Sequence, residues 1–453
     1  MLLASTARPI PNPVFSGPDL PAPLREMRMK FNKSSQLLLV SAASLLAASL
    51  ITACATLTTD FVFVTSSQAA GANQFGQVDV FEINRESGFM RQIPTSPFPS
   101  GGRDPVAEAV SSDNFNLYVV NEDDNSIVQF AIGNDGKLYP QNTFNTPGIF
   151  PIAVSVSGTT LYVLDTFQPL PTCSTADPCS GSFGVFPIVV GTGSPPSDPL
   201  GSPVTNGALT YWPLCQYGYI SATNFTTCAA GPTSDIITPT AITALSSGAY
   251  VFVTGYDSTA SPNVGYVFGF AASSGGGLTP LNGGLPFAAG VRPSAVTSDS
   301  TGSFIYVTDQ ISNNVLAYSL ASGTLTPLSG SPFPTGNQPS SVVADPVFPF
   351  LYVANALDSN VSAYSISNGA LTRLGVFATG TQPMAIGIDP STNHFLFTAN
   401  FLGNGVNGSV SGFSLDTTAG TLINSQNSPY RSNAQPTAVA AIPHGSSTSS
   451  SSK

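Results

Sequence analysis

The chain is a succession of short apolar segments separated by turn residues, and helical periodicity does not occur after residue 54. The apolar segments are rich in Val, Ile, Tyr and Phe, while Gly, Pro, Asn and Asp lie between them. This composition is typical of short antiparallel strands joined by tight turns. The pattern therefore predicts an all-β protein built from small antiparallel sheets.

One motif recurs along the chain: a proline, then a small residue two positions later, then nearly always a branched apolar residue. The copies begin at Pro105, Pro151, Pro239, Pro293, Pro339, Pro383 and Pro436. They are 46, 88, 54, 46, 44 and 53 residues apart, a period that indicates a propeller, a solenoid or an array. A second strand such as residues 351–354 follows each motif, so one repeat is predicted to be a four-stranded meander.

The two ends of the repeat region predict how the array closes. Asp60 begins a second strand, and Pro436 begins a first strand. Together they make one blade, which closes a ring and removes the exposed sheet edges of an open array. We therefore predict a seven-bladed β-propeller over residues 60–443. An eighth blade between Thr166 and Ser234 is the alternative, but no second Tyr-Val strand occurs there, which favours an insertion over 166–234.

Residues 1–53 have the features of an export signal. Arg28, Lys30 and Lys33 precede an apolar run that ends just before Cys54. The run is about 15 residues long, shorter than the roughly 20 that a membrane span needs. It resembles a bacterial lipoprotein signal, which implies lipid attachment at Cys54 and a linker over 54–59. We expect a cell-envelope protein that contacts the membrane through this anchor only, with a disordered Ser-rich tail over 444–453.

Cysteine usage agrees with export. The four remaining cysteines, all within 166–234, are Cys173, Cys179, Cys215 and Cys228. An even number clustered in one exported segment predicts two disulfides. Three connectivities are allowed, and the local one, 173 with 179 and 215 with 228, needs the shortest loops. Zinc binding is disfavoured because the segment has no Cys-Xaa2-Cys pair and no nearby histidine.

The net charge limits the partners. The chain carries a formal charge of −11, and removal of residues 1–53 leaves 8 basic and 22 acidic residues. Nucleic acid binding requires clustered Lys and Arg, whereas the basic residues here are scattered. Charged residues make up only 8% of the chain. We expect a monomer with a polar, weakly charged surface suited to a glycan, a protein or a small ligand.

Several short motifs resemble those of a known family. They are Leu-Tyr-Val-Ala-Asn at 351–355, Asn-Val-Xaa-Ala-Tyr-Ser at 314–319 and 360–365, and Gly-Xaa-Gln-Pro at 336–339 and 380–383. They are similar to the YVTN-repeat, lactonase-type β-propellers, which include 6-phosphogluconolactonase-like proteins and carboxymuconate cyclases. The resemblance covers residues 60–443. It implies a propeller fold and, as an activity, a lactonase or a related cyclase or lyase.

Lactone hydrolysis needs an activated water and a donor for the developing oxyanion. Neither histidine is placed for this role, because His394 opens a second strand and His444 follows the last strand. Glu108 occupies a column that holds Val or Ile in the other repeats, and a buried carboxylate is costly unless paired or protonated. If the protein is an enzyme, Glu108 is the candidate base and Arg292 the candidate oxyanion or carboxylate donor. The alternative is a locally shifted strand that turns Glu108 into solvent.

The run from Asn121 to Asn125 contains oxygen ligands of the kind that Ca²⁺ prefers. Equivalent loops elsewhere use the same residue types simply to turn between strands. We therefore predict no metal and no cofactor, with calcium at this loop as the alternative.

The topology predicts where a ligand binds. In a meander blade, the loop before the first strand and the loop after the second strand lie on one face, which we call the loop-rich face. Its candidate ligand-binding residues are Arg292, Asp104, Gln338, Gln382 and Gln435 before the prolines, and Asn121, Asp165, Asp309, Asn355 and Asn400 at the ends of second strands. A polar mouth rimmed by loops is the usual site in such a ring. We expect a non-catalytic lipoprotein that binds a protein, glycan or small ligand there, with a lactonase as the alternative.

Overall fold

The computed structural model describes most of the chain after residue 58. The described ranges are 59–67, 74–84, 87–191, 198–231, 235–390, 395–403, 407–432 and 434–443. Cys54, both histidines and the Ser-rich tail lie outside them. Within these ranges no helix is long and apolar enough to cross a membrane.

The strands are numbered in chain order and grouped by blade. Blade 1 begins with β1 (Thr59–Ser67), β2 (Gln77–Asn84), β3 (Met90–Gln92) and β4 (Phe98–Pro99). Blade 2 contains β5 (Pro105–Val110), β6 (Asn116–Asn121), β7 (Ser126–Ile132) and β8 (Leu138–Asn145). Blade 3 contains β9 (Ile149–Ser157), β10 (Thr160–Phe167), β11 (Ser182–Pro187) and β12 (Trp212–Pro213), and a separate hairpin follows, β13 (Tyr219–Ser221) and β14 (Asn224–Cys228).

The second half of the ring repeats this arrangement. Blade 4 contains β15 (Ile237–Ala244), β16 (Tyr250–Asp257), β17 (Val264–Ala272), β18 (Leu278–Pro280), a 3-10 turn (Asn282–Gly284) and β19 (Phe287–Ala288). Blade 5 contains β20 (Pro293–Ser298), β21 (Phe304–Asp309), β22 (Asn314–Ala321), β23 (Thr324–Pro327) and β24 (Phe333–Pro334). Blade 6 contains β25 (Pro339–Ala344), β26 (Phe350–Asn355), β27 (Asn360–Ser367) and β28 (Ala370–Ala378). Blade 7 contains β29 (Pro383–Ile388), β30 (Phe395–Asn400), β31 (Ser409–Leu415), β32 (Leu422–Asn424) and β33 (Tyr430–Arg431), and the last strand is β34 (Gln435–Ile442).

The last strand closes the ring. β34 pairs antiparallel with β1 and becomes the inner strand of blade 1, with Val439 opposite Val64 and Ile442 opposite Phe61. The seven inner strands contact one another in sequence around the axis, and β34 contacts β5 to complete the circle. The seven-bladed fold and its closure by the two terminal strands are therefore confirmed, and the described residues contain no eighth blade.

The hydrophobic core lies between blades. Alternate side chains of a strand point to opposite faces of its sheet, so each blade buries one set against each neighbour. One such cluster joins Tyr352 and Val361 of blade 6 to Leu396 and Phe413 of blade 7. All four side chains are fully buried. The ring is held by these interfaces because no single blade encloses a core of its own.

The repeated tyrosine of the second strands ties blade 5 to blade 6 and blade 6 to blade 7. The Tyr306 hydroxyl donates to the carbonyl oxygen of Gly369 at 3.1 Å, and the Tyr352 hydroxyl donates to that of Gly420 at 3.1 Å. Both glycines have positive φ, 80° and 69°, so the turn can approach the buried ring without a side chain. The motif thus supplies one buried hydrogen bond for each of these interfaces.

The segment 166–234 differs in part from the prediction. β11 and β12 lie within it and complete blade 3, so the range includes the outer half of a blade as well as inserted chain. The disulfides are local, Cys173 with Cys179 and Cys215 with Cys228, which confirms the pairing with the shortest loops. The first braces the loop between β10 and β11, and the second closes the β13–β14 hairpin.

Candidate ligand-binding site

The mouth of the ring is formed by the residues before the inner strands and those after the second strands. A backbone hydrogen bond of 2.9 Å joins the two positions in four blades. Its donors and acceptors are the N–H groups of Glu122, Gln310, Ala356 and Phe401 and the carbonyl oxygens of Asp104, Arg292, Gln338 and Gln382, respectively. Because the bond repeats, these side chains occupy equivalent places around the axis.

The chain reaches the mouth in an unusual backbone conformation. Four residues that precede the prolines, Asp104, Phe150, Gln338 and Gln382, have φ values of 48° to 58°, in the left-handed region that non-glycine residues rarely adopt. In three of them the backbone N–H donates to a side chain of the preceding blade, in the loop between that blade's second and third strands. The bonds run from Phe150 N to Asn125 Oδ1 (2.6 Å), from Gln338 N to Asn313 Oδ1 (2.9 Å) and from Gln382 N to Ser359 Oγ (3.3 Å).

The polar residues that end the second strands lie beneath the mouth. Asn121, Asp165, Asp309, Asn355 and Asn400 are fully buried. Several of them bind the loop that leads to their own inner strand, as Asn355 Oδ1 does by accepting from Gly336 N at 3.1 Å. In this structure these five side chains are therefore not accessible to a ligand at the mouth, and three of them, Asp165, Asp309 and Asn355, hold a loop from below through its backbone N–H groups.

Two of these buried carboxyls differ in their hydrogen bonds. Burial raises the pKa of Asp165 to about 8, which donors from Thr146 and Gly148 only partly oppose. Burial also acts to raise the pKa of Asp309, but the N–H groups of Val291, Ser312 and Arg292 and the Ser312 hydroxyl outweigh it and hold that pKa below its ordinary value. Asp309 is thus a charged anchor for the loop that carries Arg292.

Blade 2 supplies the acidic side of the mouth. Burial, together with the neighbouring charges of Asp104 and Asp123, raises the pKa of Glu122 to about 7. Burial and the charge of Asp123 also raise the pKa of Asp104. Arg103 pairs with Asp124 instead, at 2.7 Å. Among the described residues no basic side chain forms an ion pair with Glu122, Asp104 or Asp123.

Blade 5 supplies the basic side. Arg292 lies three blades from blade 2 in a ring of seven, and therefore on the other side of the mouth. Its guanidinium carbon is 5.0 Å from the centroid of the Tyr256 ring, a cation–π contact. Its side chain forms no hydrogen bond or ion pair within the described part of the chain. Gln338, Gln382 and Gln435 lie in blades 6, 7 and 1, so amides separate the two charged sides.

Glu108 lies between blades 1 and 2. It is opposite Val119, as Val296 is opposite Val307, so the strand is not shifted. Its Oε2 accepts a hydrogen bond of 2.6 Å from the Thr65 hydroxyl, and its Oε1 is buried without a partner in the described chain. Burial raises the pKa of Glu108 to about 7, opposed in part by Thr65. It is the single ionisable residue of the seven inner strands.

The structure does not bring the two candidate catalytic residues into contact. Glu108 faces the neighbouring blade, whereas Arg292 lies at the mouth of blade 5. The described residues contain no group of three His, Cys, Asp or Glu side chains that could hold a metal ion, including the loop from Asn121 to Asn125. The assignments of Glu108 and Arg292 to catalysis stay predictions.

Sequence reasoning did not identify Glu122 as a mouth residue. It lies in the turn that resembles a calcium loop, and its backbone bond to Asp104, together with the effect of the Asp104 charge on its pKa, shows that it lies at the mouth. The signal was present in the repeat itself, because Glu122 aligns with Gln310 and Ala356, the residues that follow the other second strands.

No protein-family model and no curated protein matches the sequence. Solved structures do match. The periplasmic gluconolactonase PpgL of Pseudomonas aeruginosa has a TM-score of 0.63 at 16% identity, covering 86% of this chain and 100% of that chain. A candidate 6-phosphogluconolactonase of Bacteroides fragilis gives 0.61 at 19%, covering 85% and 98%. A functionally unknown protein of Desulfotomaculum acetoxidans gives 0.56 at 13%, covering 84% and 99%. At these identities the likeness shows the fold alone, and it confirms the predicted resemblance at that level.

Proposed function

We propose that this chain is an exported protein of the bacterial cell envelope that binds a small polar ligand at the mouth of its propeller without converting it. One observation carries the proposal. Asp104 and Glu122 on one side of the mouth, and Arg292 on the other, have no oppositely charged partner among the described residues. A ligand with polar groups at both ends would supply those partners.

Export is supported by two further observations. Paired cysteines are typical of oxidising compartments, and both disulfides are formed here. One structural neighbour is itself named a periplasmic protein. The lipid anchor at Cys54 rests on the signal sequence and completes the proposed location.

The test is a binding screen with a panel of known compounds. Amino acids, amino sugars, sugar acids and neutral oligosaccharides are added to the full chain, and binding is read from thermal shift and calorimetry. We expect Arg292→Ala and Glu122→Gln to abolish binding of the ligand class that wild type accepts. Arg373→Ala in β28 and Glu82→Gln in β2 are matched controls that should bind normally. A panel in which nothing binds, or in which the controls fail as the mouth variants do, contradicts the proposal.

Lactone hydrolysis is the second candidate, and one observation favours it. A carboxyl with a pKa of about 7 is suited to accept a proton at neutral pH, and Glu108 has that property. Two structural neighbours are also named for lactonase activity.

Purified protein is tested on a panel of lactones with and without added divalent metal. Glu108→Gln should lower any measured rate by at least about 10², whereas Arg292→Ala should act mainly on KM. A rate untouched by both changes rules the assignment out.

A further inference from the structure

Three large apolar side chains are exposed on the loop-rich face, at the same position in three consecutive blades. Ile311, Leu357 and Leu402 are each the second residue after the end of a second strand, in blades 5, 6 and 7. Their exposed fractions are 55%, 65% and 39%, respectively. A single exposed leucine is ordinary, but neighbouring exposed apolar side chains on one face often mark an interaction surface. We call these three residues the apolar arc.

Hydrogen bonds hold the loops of the apolar arc in one framework. Leu357 N donates to the carbonyl oxygen of Asn337 at 3.3 Å, and Leu402 N donates to that of Thr381 at 3.2 Å. The loops of blades 5 and 6 also bind the chain of the following blade, through the side-chain bonds already described for the mouth. The apolar side chains therefore have a fixed order and spacing before a partner arrives, which lowers the entropy cost of binding.

The apolar arc carries almost no charge. Asp358 is the single ionisable residue of the loops that form it, which cover 310–313, 335–338, 356–359, 379–382 and 401–403. Its carboxylate is engaged by Asn337, whose backbone N and side-chain Nδ2 both donate to it at 2.8 Å. The surface that these loops offer to a partner is therefore apolar and amide-rich.

Blade 2 has an acidic residue at the position that the apolar arc fills in blades 5 to 7. This residue is Asp123, the second after the end of β6, and it is exposed. Asp123 raises the pKa of Asp104, and both raise the pKa of Glu122, so the three charges reinforce one another. Only blade 1 lies between blade 7 and blade 2 in the ring. The loop-rich face is therefore apolar over three blades and acidic one blade beyond them.

This distribution limits what can cover the apolar arc. A second copy would bring another chain of formal charge −11 against the acidic loops, which charge repulsion disfavours. The same loops disfavour a bilayer that contains anionic lipids. The segment 444–453 of this chain contains no large apolar residue and does not match the surface.

We propose that the apolar arc is a docking surface for a segment of a partner protein that carries large apolar side chains flanked by Lys or Arg. The apolar side chains of the partner cover Ile311, Leu357 and Leu402, and a basic side chain pairs with Asp123. Removal of apolar surface from water supplies the affinity, while the charge pair sets the direction of the segment. The surface does not require the small ligand of the mouth, so it stands apart from the function proposed above.

The experiment uses a random dodecapeptide library displayed on phage as the probe. The library is panned at pH 7 on the immobilised, oxidised full chain, and enriched peptides are synthesised and titrated by fluorescence polarisation. We expect enriched sequences to contain at least two large apolar residues and at least one Lys or Arg. Their Kd should rise with salt, because one contact is an exposed charge pair.

The apolar contribution is tested with a triple variant and a matched control. Ile311→Ser, Leu357→Ser and Leu402→Ser combined should weaken peptide binding about tenfold or more. Val347→Ser combined with Ile423→Ser changes side chains that are 53% and 63% exposed outside the apolar arc, and it should leave binding unchanged. Circular dichroism and thermal unfolding show that each variant is folded.

The charge contribution is tested in the same way. Asp123→Asn should weaken binding and reduce its dependence on salt. Asp135→Asn removes an equal charge from the loop between β7 and β8, where Asp135 pairs with Lys137, and should have no effect. Arg292→Ala, which should abolish binding of the small ligand, should preserve peptide binding, so the two proposals can fail separately.

Four results would overturn the proposal. They are the absence of enriched peptides, enriched peptides that are acidic or lack large apolar residues, equal binding to wild type and the folded triple variant, and equal binding to wild type and Asp123→Asn. Sedimentation and vesicle flotation test the other occupants. Self-association that the triple variant abolishes would assign the apolar arc to a second copy, and flotation with phosphatidylglycerol vesicles that it abolishes would assign the arc to a bilayer.

Discussion

Replacing Glu108 by glutamine should stabilise the propeller, and only above about pH 4.5, where the carboxyl begins to ionise in the unfolded chain. Glutamine keeps the size of the side chain and can still accept the hydrogen bond from Thr65. It removes the charge that the interface between blades 1 and 2 must otherwise accommodate. The substitution therefore isolates the cost of one ionised carboxylate in an apolar column.

The magnitude follows from the pKa. Glu108 has a pKa of about 7 in the folded chain and an ordinary value of 4.5 in the unfolded chain, so the folded state binds the proton more tightly. Stability is therefore greatest below pH 4.5, falls as the pH rises towards 7 and is constant above it. At 1.36 kcal/mol for each unit between the two pKa values, the loss is about 3 kcal/mol. This is an upper figure because Glu108 as a whole is only half-buried, although its Oε1 is enclosed, and solvent near the side chain weakens the effect.

The assay is urea unfolding of wild type and Glu108→Gln from pH 4 to pH 8. Glu122 and Asp165 also have raised pKa values, but they titrate in both proteins and cancel in the difference. We expect no difference in unfolding free energy near pH 4 and about 3 kcal/mol in favour of the variant at pH 8. A difference that stays constant with pH would refute the argument that burial sets this pKa.

Three further predictions concern other parts of the chain. Tyr352→Phe should lower the unfolding free energy by about 1 kcal/mol, since it leaves the buried Gly420 carbonyl without its donor, whereas Tyr139→Phe at an exposed site should not. Reduction of the disulfides should speed hydrogen exchange near residues 168–181 and 214–229 while the inner strands stay protected; peptide mapping that finds free thiols in untreated protein contradicts this. Cys54→Ala should release the protein from the membrane fraction, and retention there with unchanged mass would show that Cys54 is not the anchor.

The fold could be predicted because the repeat marks the same place in every blade. The proline motif coincides with the first residue of β20, β25 and β29, and the terminal strands carry the sequence of the blade they share. The outer half of blade 3 could not be predicted from the sequence, because its outer strands lack the usual pattern. β11 has Gly184 where other blades have a larger residue, and β12 is only Trp212–Pro213, within a long irregular segment.

The site was less accessible to such reasoning. Sequence position places Asp165 and Asp309 at strand ends, but whether such a side chain points to solvent or beneath a loop depends on how neighbouring blades pack. Glu108 was recognisable because it interrupts a column, and the column exists in the sequence. The contact between Gln216 and Tyr266 has no local signal in the sequence, because the two residues are brought together only by the folded chain.

The shared blade has a consequence for the order of folding. Val64 pairs with Val439, so blade 1 lacks its inner strand until almost the whole chain is available. Contacts so distant in sequence form slowly, and β1 presents an unpaired edge until they do. Under the proposed export, with the N-terminus crossing the membrane first, the residues that cross last decide whether the ring closes. A truncation within β34 would therefore do more than shorten one strand. It would expose the edge of β1 that carries Thr65, the hydrogen-bond partner of Glu108.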